Sequence, residues 1–189
     1  MGREATIWAG TVVWLALALG GFWLWERHDA TPGATGTPAA AADEPLGDRW
    51  RLTVFVHPRC PCGRASFEEA AELMRAAPEL SVRVLFVCPP GAPDGWERGA
   101  GWDAATRLAG AEVARDADGA QARRFGAETS GFAVLADPNG RVVFRGGLTP
   151  ARGRTGEGRG RRAVLAWLSS GSGEGTAPVF GCSLFDPDE

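Results

Sequence analysis

Apolar residues are distributed in three different ways along this chain. Residues 7–25 contain no charged side chain, and a run of that length is enough to cross a hydrocarbon core of about 30 Å as a helix. Residues 29–47 hold few large apolar side chains and are rich in Pro, Gly, Ala and Thr. Beyond them, short apolar runs alternate with amphipathic segments. We therefore predict a membrane anchor over residues 1–28, a flexible linker over 29–47 and a folded domain from Asp48.

The apolar segment could also be a cleaved signal peptide. Residues 7–25 are long for the apolar part of a signal, however, and the bulky Phe22-Trp23-Leu24-Trp25 leaves no small-residue cleavage site nearby. We favour an uncleaved anchor. Arg3 and the terminal amine precede the span, whereas acidic and basic residues are mixed after it, which favours an N-terminus inside the cell. The domain would then face the periplasm or the cell exterior.

The domain begins with a predicted strand, helix and strand. Runs of β-forming residues at 52–56 and 80–87 flank an amphipathic segment at 63–77. Within that segment, apolar residues recur at helical spacing and charged residues occupy the other side. The apolar set is Phe67, Ala70, Ala71 and Met74, and the charged set is Glu68, Glu69, Glu72 and Arg75. The pattern predicts a right-handed βαβ unit with parallel strands.

The second half of the domain is predicted to contain a β-hairpin. Asp137-Pro138-Asn139-Gly140 is a strong turn signal between two β-forming runs. The Gly- and Arg-rich stretch at 146–160 indicates a loop. Further helices are predicted at 102–108, 118–125 and 161–169, and further strands at 111–115, 132–136 and 141–145. Residues 171–189 form a tail that carries Cys182, and the apolar residues of this tail favour docking on the domain.

Composition narrows the classes of function. The 44% hydrophobic and 23% charged residues are typical of a globular protein, and a net charge of −3 offers no basic footprint for nucleic acid. Four cysteines are too few for a disulfide scaffold, and no doubled Cys-x-x-Cys indicates a structural zinc site. We expect a small set of reactive thiols, no nucleic-acid partner, and contact with the membrane through residues 7–25.

The candidate chemistry lies between the first strand and the first helix of the domain. His57 and Cys60 follow the strand, and Cys62 stands where the helix begins. The N–H groups and dipole at a helix N-terminus favour negative charge, which can lower a cysteine pKa from about 8.5 to roughly 3.5–7.5. An imidazolium at His57 would act in the same direction. We therefore expect Cys60 to be a nucleophilic thiolate.

The partner of Cys60 is left open by the sequence. Residues i and i+2 do not share a helix face, so a disulfide between Cys60 and Cys62 would distort the first turn and be strained. A strained disulfide is easily reduced, which would make the pair oxidising. Cys182 is the other candidate, because Gly181 beside it permits close backbone approach. Cys88 ends the second strand and suits a buried structural role as well as a reactive one.

The order of these elements over residues 51–170 resembles the thioredoxin fold, and in particular the membrane-tethered bacterial thioredoxins of the TlpA and alkyl-hydroperoxide-reductase type. The stretch at 132–146 is similar to the second half of that family. The chain also resembles a small bacterial thioredoxin-like group labelled RedB. The resemblance implies an α/β thioredoxin-like domain over 48–170, with a mixed β-sheet flanked by helices, behind one transmembrane helix in the bacterial inner membrane. The resemblance also implies that the protein interacts with protein thiols or with a redox partner protein.

Two features depart from that family. Its active site is Cys-x-x-Cys, whereas this chain has the shorter Cys60-Pro61-Cys62. The family also places a cis-proline before its fourth strand, where this chain has Ser130-Gly131. Because the cis-proline helps present substrate backbone, its replacement bears on which disulfides the protein can reduce.

We predict a membrane-tethered extracytoplasmic thiol–disulfide oxidoreductase without a cofactor. Cys60 would attack the substrate disulfide, Cys62 or Cys182 would resolve the mixed disulfide, and His57 would activate Cys60. One alternative is a chaperone for a copper or zinc ion bound by Cys60, Cys62, His57 and Cys182, by a parallel with thioredoxin-fold copper chaperones. Another is a redox-inert thioredoxin-like adaptor.

Three arginines of the glycine-rich loop complete the candidate residues. Arg152, Arg154 and Arg159 are expected near the cysteine edge of the sheet. They would either hold an anionic substrate and keep thiolates ionised, or simply be solvated.

Overall fold

The computed structural model describes residues 2–38 and 49–186. Its N-terminal unit consists of helix α1, Gly2–Asp29. A helix of this length is about 42 Å long. The most apolar stretch of 18 residues within Glu4–Asp29 has a mean hydropathy of 1.8, so the helix is apolar and long enough either to cross a membrane or to be a signal sequence.

In the part of the chain that the structure describes, the domain is built on a six-stranded mixed sheet. The strands are β1 Arg51–Val56, β2 Ser81–Val87, β3 Glu112–Asp116, β4 Phe132–Ala136, β5 Val142–Gly147 and β6 Thr176–Ala177, in the spatial order β3-β2-β1-β4-β5-β6. β1, β2 and β3 are parallel, whereas β4 is antiparallel to β1 and to β5. β1, which leads to the cysteines, therefore lies near the middle of the sheet.

Helices cover both faces of the sheet. They are α2 Gly63–Ala76, α3 Ala100–Thr106, α4 Ala120–Phe125 and α5 Arg159–Ser170, with a 3₁₀ turn at Ala117–Gly119 before α4. One core cluster joins α2, α3 and α5 to one sheet face through buried residues such as Phe67, Ala105 and Val164. The second cluster joins α4 and the C-terminal tail to the other face, with Ala122 and Leu184 fully buried. The sheet is thus buried on both sides, as the apolar runs of β1 and β2 require.

The predicted α/β thioredoxin-like arrangement is confirmed, with shifts of one to two residues at most element ends. The predicted helix at 102–108 begins two residues earlier, as α3. The predicted strand at 141–145 continues to Gly147. The extension exists because the tail pairs with it: a Cβ at Gly147 would stand 2.8 Å from the Cα of Val179. The two-residue strand β6 has no apolar alternation, so the sequence does not indicate it.

One predicted surface residue is buried. Glu69 was expected on the charged side of the helix with Glu68 and Glu72, but it is 1% exposed. Its carboxylate accepts a hydrogen bond from the Gly156 backbone N–H at 2.6 Å and lies 3.2 Å from Arg161. The helical pattern is right, but the helix is flanked by α5 and its loop, which cover Glu69 as well as the apolar stripe.

Part of the predicted linker is ordered against the domain. The Gly33 N–H donates to the Val179 carbonyl at 2.8 Å, and the Gly36 N–H donates to the Gly126 carbonyl at 2.9 Å. The remainder of the predicted linker, 39–47, and the predicted domain start at Asp48 lie outside the described residues, as do residues 187–189 of the tail.

Candidate active site

The chain reaches Cys60 through a tight turn at the end of β1. The Cys60 N–H donates to the His57 carbonyl at 3.1 Å, and the Gly63 N–H donates to the Cys60 carbonyl at 3.3 Å. Cys62 then occupies the N-cap position of α2 with helical backbone angles and no side-chain cap. Cys60, two residues before that position, is buried, with 7% of its surface exposed.

The segment before β4, Ser130-Gly131, is hydrogen-bonded to the end of β1 and to this turn. The Gly131 N–H donates to the Phe55 carbonyl at 2.8 Å, and the His57 N–H donates to the hydroxyl of Ser130 at 3.0 Å. Ser130-Gly131 therefore lies beside the cysteine turn, at the place that the resemblance assigns to the family's cis-proline. Ser130 was named in the sequence only for its position, and its hydroxyl contact was not predicted.

The C-terminal tail brings Cys182 to the same point. The Ser130 N–H donates to the Cys182 carbonyl, and the Leu184 N–H donates to the Glu128 carbonyl, both at 2.8 Å. These bonds lay the tail along the segment that precedes β4. The Sγ atoms of Cys60 and Cys182 are 3.0 Å apart as a result.

Three thiols form one group at this site. The sulfur atoms of Cys60, Cys62 and Cys182 all lie within 4.8 Å of one another. Cys60 is buried, and the other two are half-buried. All three are free thiols in this structure, so the geometry describes the reduced form of the site.

The pKa of Cys60 lies far below that of an ordinary thiol. The largest causes are hydrogen bonds from the thiols of Cys182 and Cys62, with smaller contributions from the Cys182 backbone and the Ser130 hydroxyl. Burial acts in the opposite direction and is outweighed. The thiolate was expected to depend on the helix N-terminus, whereas in the structure neighbouring thiols stabilise it.

The same contacts raise the pKa of Cys62. As a donor to Cys182 and Cys60, its thiol is stabilised in the protonated form. Of these two residues, Cys60 therefore favours the thiolate and Cys62 favours the thiol that donates to it. A thiolate with neighbouring thiols can attack a disulfide, and a neighbouring thiol can then attack the mixed disulfide that forms.

A loop from β5 to α5 covers Cys62. The guanidinium of Arg152 donates a hydrogen bond to the Gly181 carbonyl, next to Cys182. A Cβ on Gly153 would meet the Cys62 sulfur at 4.0 Å. The buried carboxylate of Glu69 accepts a hydrogen bond from the Gly156 N–H in the same loop. Glu69 is remote from the sulfurs, but it therefore helps to position the loop that covers Cys62. The sequence analysis did not identify Glu69 or Arg161 as a residue of the site.

The other predicted residues lie apart from the three sulfurs. Among the described residues, no histidine nitrogen joins the thiol group. His57 is 2% exposed, its Nδ1 accepts from the Arg59 N–H at 3.4 Å, and its ring stands edge-on to Trp96. It thus braces the turn that carries Cys60. Arg154 is exposed in the loop, and Arg159 pairs with the exposed Glu174 at 2.5 Å.

Cys88 is separate from the reactive group. It is fully buried at the end of β2, and its thiol donates weakly to the Phe86 carbonyl at 3.6 Å. Burial raises its pKa to about 11. A neutral, inaccessible thiol of this kind acts as a small core residue.

Of the three clustered thiols, Cys60 lines an open cleft. The cleft has a volume of about 670 Å³ and is formed by the turn before α2 and by α3. Cys62 and Cys182 are not among its lining residues. Cys60 is therefore the member of the thiol group that borders this cleft.

Comparison with known proteins supports the fold assignment. No protein family matches the sequence, and no curated protein matches it. An uncharacterised conserved protein from Geobacillus kaustophilus aligns with a TM-score of 0.61 at 18% identity, over 85% of this chain and 94% of that one. A hypothetical protein from Sinorhizobium meliloti aligns with a TM-score of 0.57 at 21% identity, over 85% and 99% of the two chains.

A secreted disulfide oxidoreductase from Mycobacterium tuberculosis also aligns, with a TM-score of 0.46 at 14% identity, over 66% of this chain and 84% of that one. In this chain, a central strand delivers a cysteine to the start of a helix, parallel strands lie on one side and an antiparallel hairpin lies on the other. The protein is thioredoxin-like in fold, with a thiol group in place of a Cys-x-x-Cys pair.

Proposed function

We propose that the protein is a thiol–disulfide oxidoreductase that works through Cys60 and Cys182. The observation that carries this proposal is the 3.0 Å separation of their sulfur atoms, because a small approach would form a disulfide about 2.05 Å long. A pair drawn from the turn before α2 and from the distant tail also avoids the strained i,i+2 disulfide.

The reaction passes through a mixed disulfide. The Cys60 thiolate attacks one sulfur of a substrate disulfide, forming a new S–S bond and releasing one substrate thiolate. The Cys182 thiol gives its proton to the substrate thiolate released first and attacks Cys60, which forms the Cys60–Cys182 disulfide and releases the second substrate thiolate. Two electrons pass to the substrate, and a dithiol partner protein restores the reduced form by the reverse exchange. His57 and Ser130 hold the turn that aims Cys60.

We also propose that helix α1 remains as a membrane anchor and that the domain faces the periplasm or cell exterior. The uninterrupted apolar length of α1 and the oxidising chemistry available outside the cytoplasm support this arrangement. Alkaline extraction of membranes should leave the full chain in the pellet, and added protease should digest the domain in spheroplasts. A soluble, shortened chain would contradict the anchor.

Disulfide mapping of the full-length protein, titrated through glutathione redox buffers, tests the chemistry. The expected product is a reversible Cys60–Cys182 disulfide, which the Cys62→Ser variant should still form. Cys182→Ser should instead accumulate a mixed disulfide on Cys60. The two serine variants are matched controls, because each removes one thiol from the same group. If Cys182→Ser still forms an internal disulfide with Cys62, Cys182 is not the resolving thiol. If no thiol oxidises, the proposal fails.

A chaperone for a soft metal ion is the second candidate. Three sulfurs within 4.8 Å form a ligand set that suits Cu(I), which thiolates select. Three thiolates around one ion at about 2.3 Å place their sulfurs about 4 Å apart, however, so the 3.0 Å pair would have to open. Equilibrium dialysis of the reduced full chain with Cu(I) decides between the two. One tightly retained ion together with thiols that resist oxidation would replace the redox proposal.

A further inference from the structure

A second pocket lies on the sheet face that carries α4, at the end of the sheet far from the cysteines. Arg51, the first residue of β1, lines it, whereas the cysteines follow Val56, the last residue of that strand. About 16 Å of strand separates the two places. α4 has only six residues and is about 9 Å long, so it leaves this end of the face open. We call this the distal pocket.

The polar side chains that line the distal pocket are all able to donate hydrogen bonds. They are Arg51, Thr53, Arg83 and Gln121, and none of the described lining residues is acidic. A guanidinium group only donates, and a hydroxyl and a side-chain amide can both donate. The pocket therefore presents donors and positive charge, which favour an anion as its ligand.

Most of these donors have no partner within the protein. In the part of the chain that the structure describes, the side chains of Arg51, Thr53 and Gln121 form no hydrogen bond or ion pair. The Nε atom of Arg83 is buried without a hydrogen bond, although the exposed Glu112 lies 3.0 Å from it. Donors that converge on one space and have no acceptor can bind a ligand without first breaking an internal contact.

A third arginine lies on the same sheet face. Arg145 of β5 pairs across the sheet with Val134 of β4, which lines the distal pocket. Its Nη1 atom is buried and has no hydrogen-bond partner among the described residues. A buried donor without an acceptor is unfavourable, and a neighbouring positive charge further favours an anion over a neutral ligand.

The floor and the size of the distal pocket narrow the chemistry of that anion. Leu85, Phe125, Val134 and Val142 give it an apolar floor, and its volume is about 50 Å³. One water molecule needs about 10–15 Å³ of such space, so the pocket holds about three to five atoms of that size. This is enough for a carboxylate and the first carbons of the group that carries it.

We propose that the distal pocket binds a carboxylate that is carried on an apolar body. Arg51 would bind the carboxylate through two parallel hydrogen bonds, and Thr53 and Gln121 would donate to its oxygens. The apolar body would pack on Phe125 and Val142. A free organic acid and the C-terminal residue of a partner protein both present this chemistry. The proposal is independent of the thiol chemistry, because the pocket and the cysteines lie at opposite ends of β1.

The test titrates two acids into the reduced, ¹⁵N-labelled full-length protein in a nonionic detergent and follows the backbone amide shifts. N-acetyl-leucine represents a C-terminal residue, and hexanoate represents a free organic acid. N-acetyl-leucinamide and hexanamide keep the apolar bodies without the charge, and acetate keeps the charge without the body. Uptake of each probe by micelles is measured without protein and subtracted.

The protein variants are Arg51→Gln and Thr53→Val, with Arg49→Gln as the matched control. Arg49→Gln makes the same change of net charge two residues away, but Arg49 is exposed and lines a different cavity. At least one acid should bind, with shifts centred on the amides of β1 and β2 that line the pocket. It should bind at least about fivefold more tightly than its amide and than acetate. The acid that binds more tightly identifies the source of the carboxylate.

Arg51→Gln should weaken binding of that acid at least about fivefold and leave binding of its amide unchanged. Thr53→Val should weaken it about two- to fivefold, and Arg49→Gln should match the wild type. Amide spectra report whether each variant is folded. If Arg51→Gln is not, Thr53→Val and the comparison of acid with amide still decide. Equal affinities for acid and amide, shifts centred elsewhere, or equal effects of Arg51→Gln and Arg49→Gln would overturn the proposal.

Discussion

Replacing Gly181 by alanine tests whether the close approach of the tail sets the redox behaviour of the site. Gly181 lies against Ser130 and directly precedes Cys182. A Cβ at position 181 would stand 3.0 Å from the Ser130 carbonyl carbon and closer still to its oxygen. Contacting carbon atoms prefer separations of about 3.5–4.0 Å, so the tail would have to withdraw by at least about 0.5 Å.

This displacement acts unequally on the two redox forms. In the dithiol form the tail can shift and relieve the clash, at the expense of the 2.8 Å bond between Ser130 and Cys182. In the disulfide form Cys182 is fixed, because an S–S bond keeps the Cβ atoms about 3.5–4.5 Å apart. Overpacking of this kind costs about 1–3 kcal/mol, which lowers the equilibrium constant for the disulfide about 5- to 150-fold. The reduction potential should rise by about 20–60 mV.

The assay is a glutathione titration in which mass spectrometry quantifies the Cys60–Cys182 bond. Gly175→Ala is the matched control, because it adds the same methyl group to the same tail. A Cβ there would meet the Val143 carbonyl at an ordinary 3.6 Å, so the reduction potential should not move. If both variants are fully folded and Gly181→Ala retains the wild-type potential, the reasoning about close approach is refuted.

The remaining predictions concern the other thiols and the buried carboxylate. Iodoacetamide should alkylate Cys60 at a rate that is nearly constant from about pH 8 to about pH 5, because the lowered pKa of Cys60 keeps the thiol ionised. The rate for an ordinary thiol falls about tenfold per pH unit over that range. Cys62 and Cys88, whose pKa values are raised, should stay unalkylated at neutral pH until the chain is denatured, and peptide mass spectrometry reads both results. Glu69→Gln should lower the free energy of unfolding by about 3 kcal/mol in urea titrations, because it leaves its arginine partner without a buried counter-charge. Glu72→Gln, which removes a partly exposed acid from the same helix, should leave the unfolding transition almost unchanged.

Much of the fold could be read from local pattern. The apolar runs of β1 and β2, the amphipathic helix between them and the turn at 137–140 are local signals, and each corresponds to an observed element. Hydrophobic periodicity specifies an element because burial of one face dominates its energy. The same rule misplaced Glu69, since periodicity does not say which neighbours a helix will acquire. β6 was missed because its pairing with β5 is a contact between distant parts of the chain.

By itself, the sequence determined that Cys60 lies between the end of a strand and the start of a helix, since both signals are local. It could not determine which thiol lies beside Cys60. That choice depends on the path of a tail more than a hundred residues away, which is set by backbone hydrogen bonds to Glu128 and Ser130. The low pKa of Cys60 likewise comes from groups distant in sequence or packed only by folding. Local propensity forms the strand and the helix, whereas long-range contacts alone assemble the three sulfurs into one site.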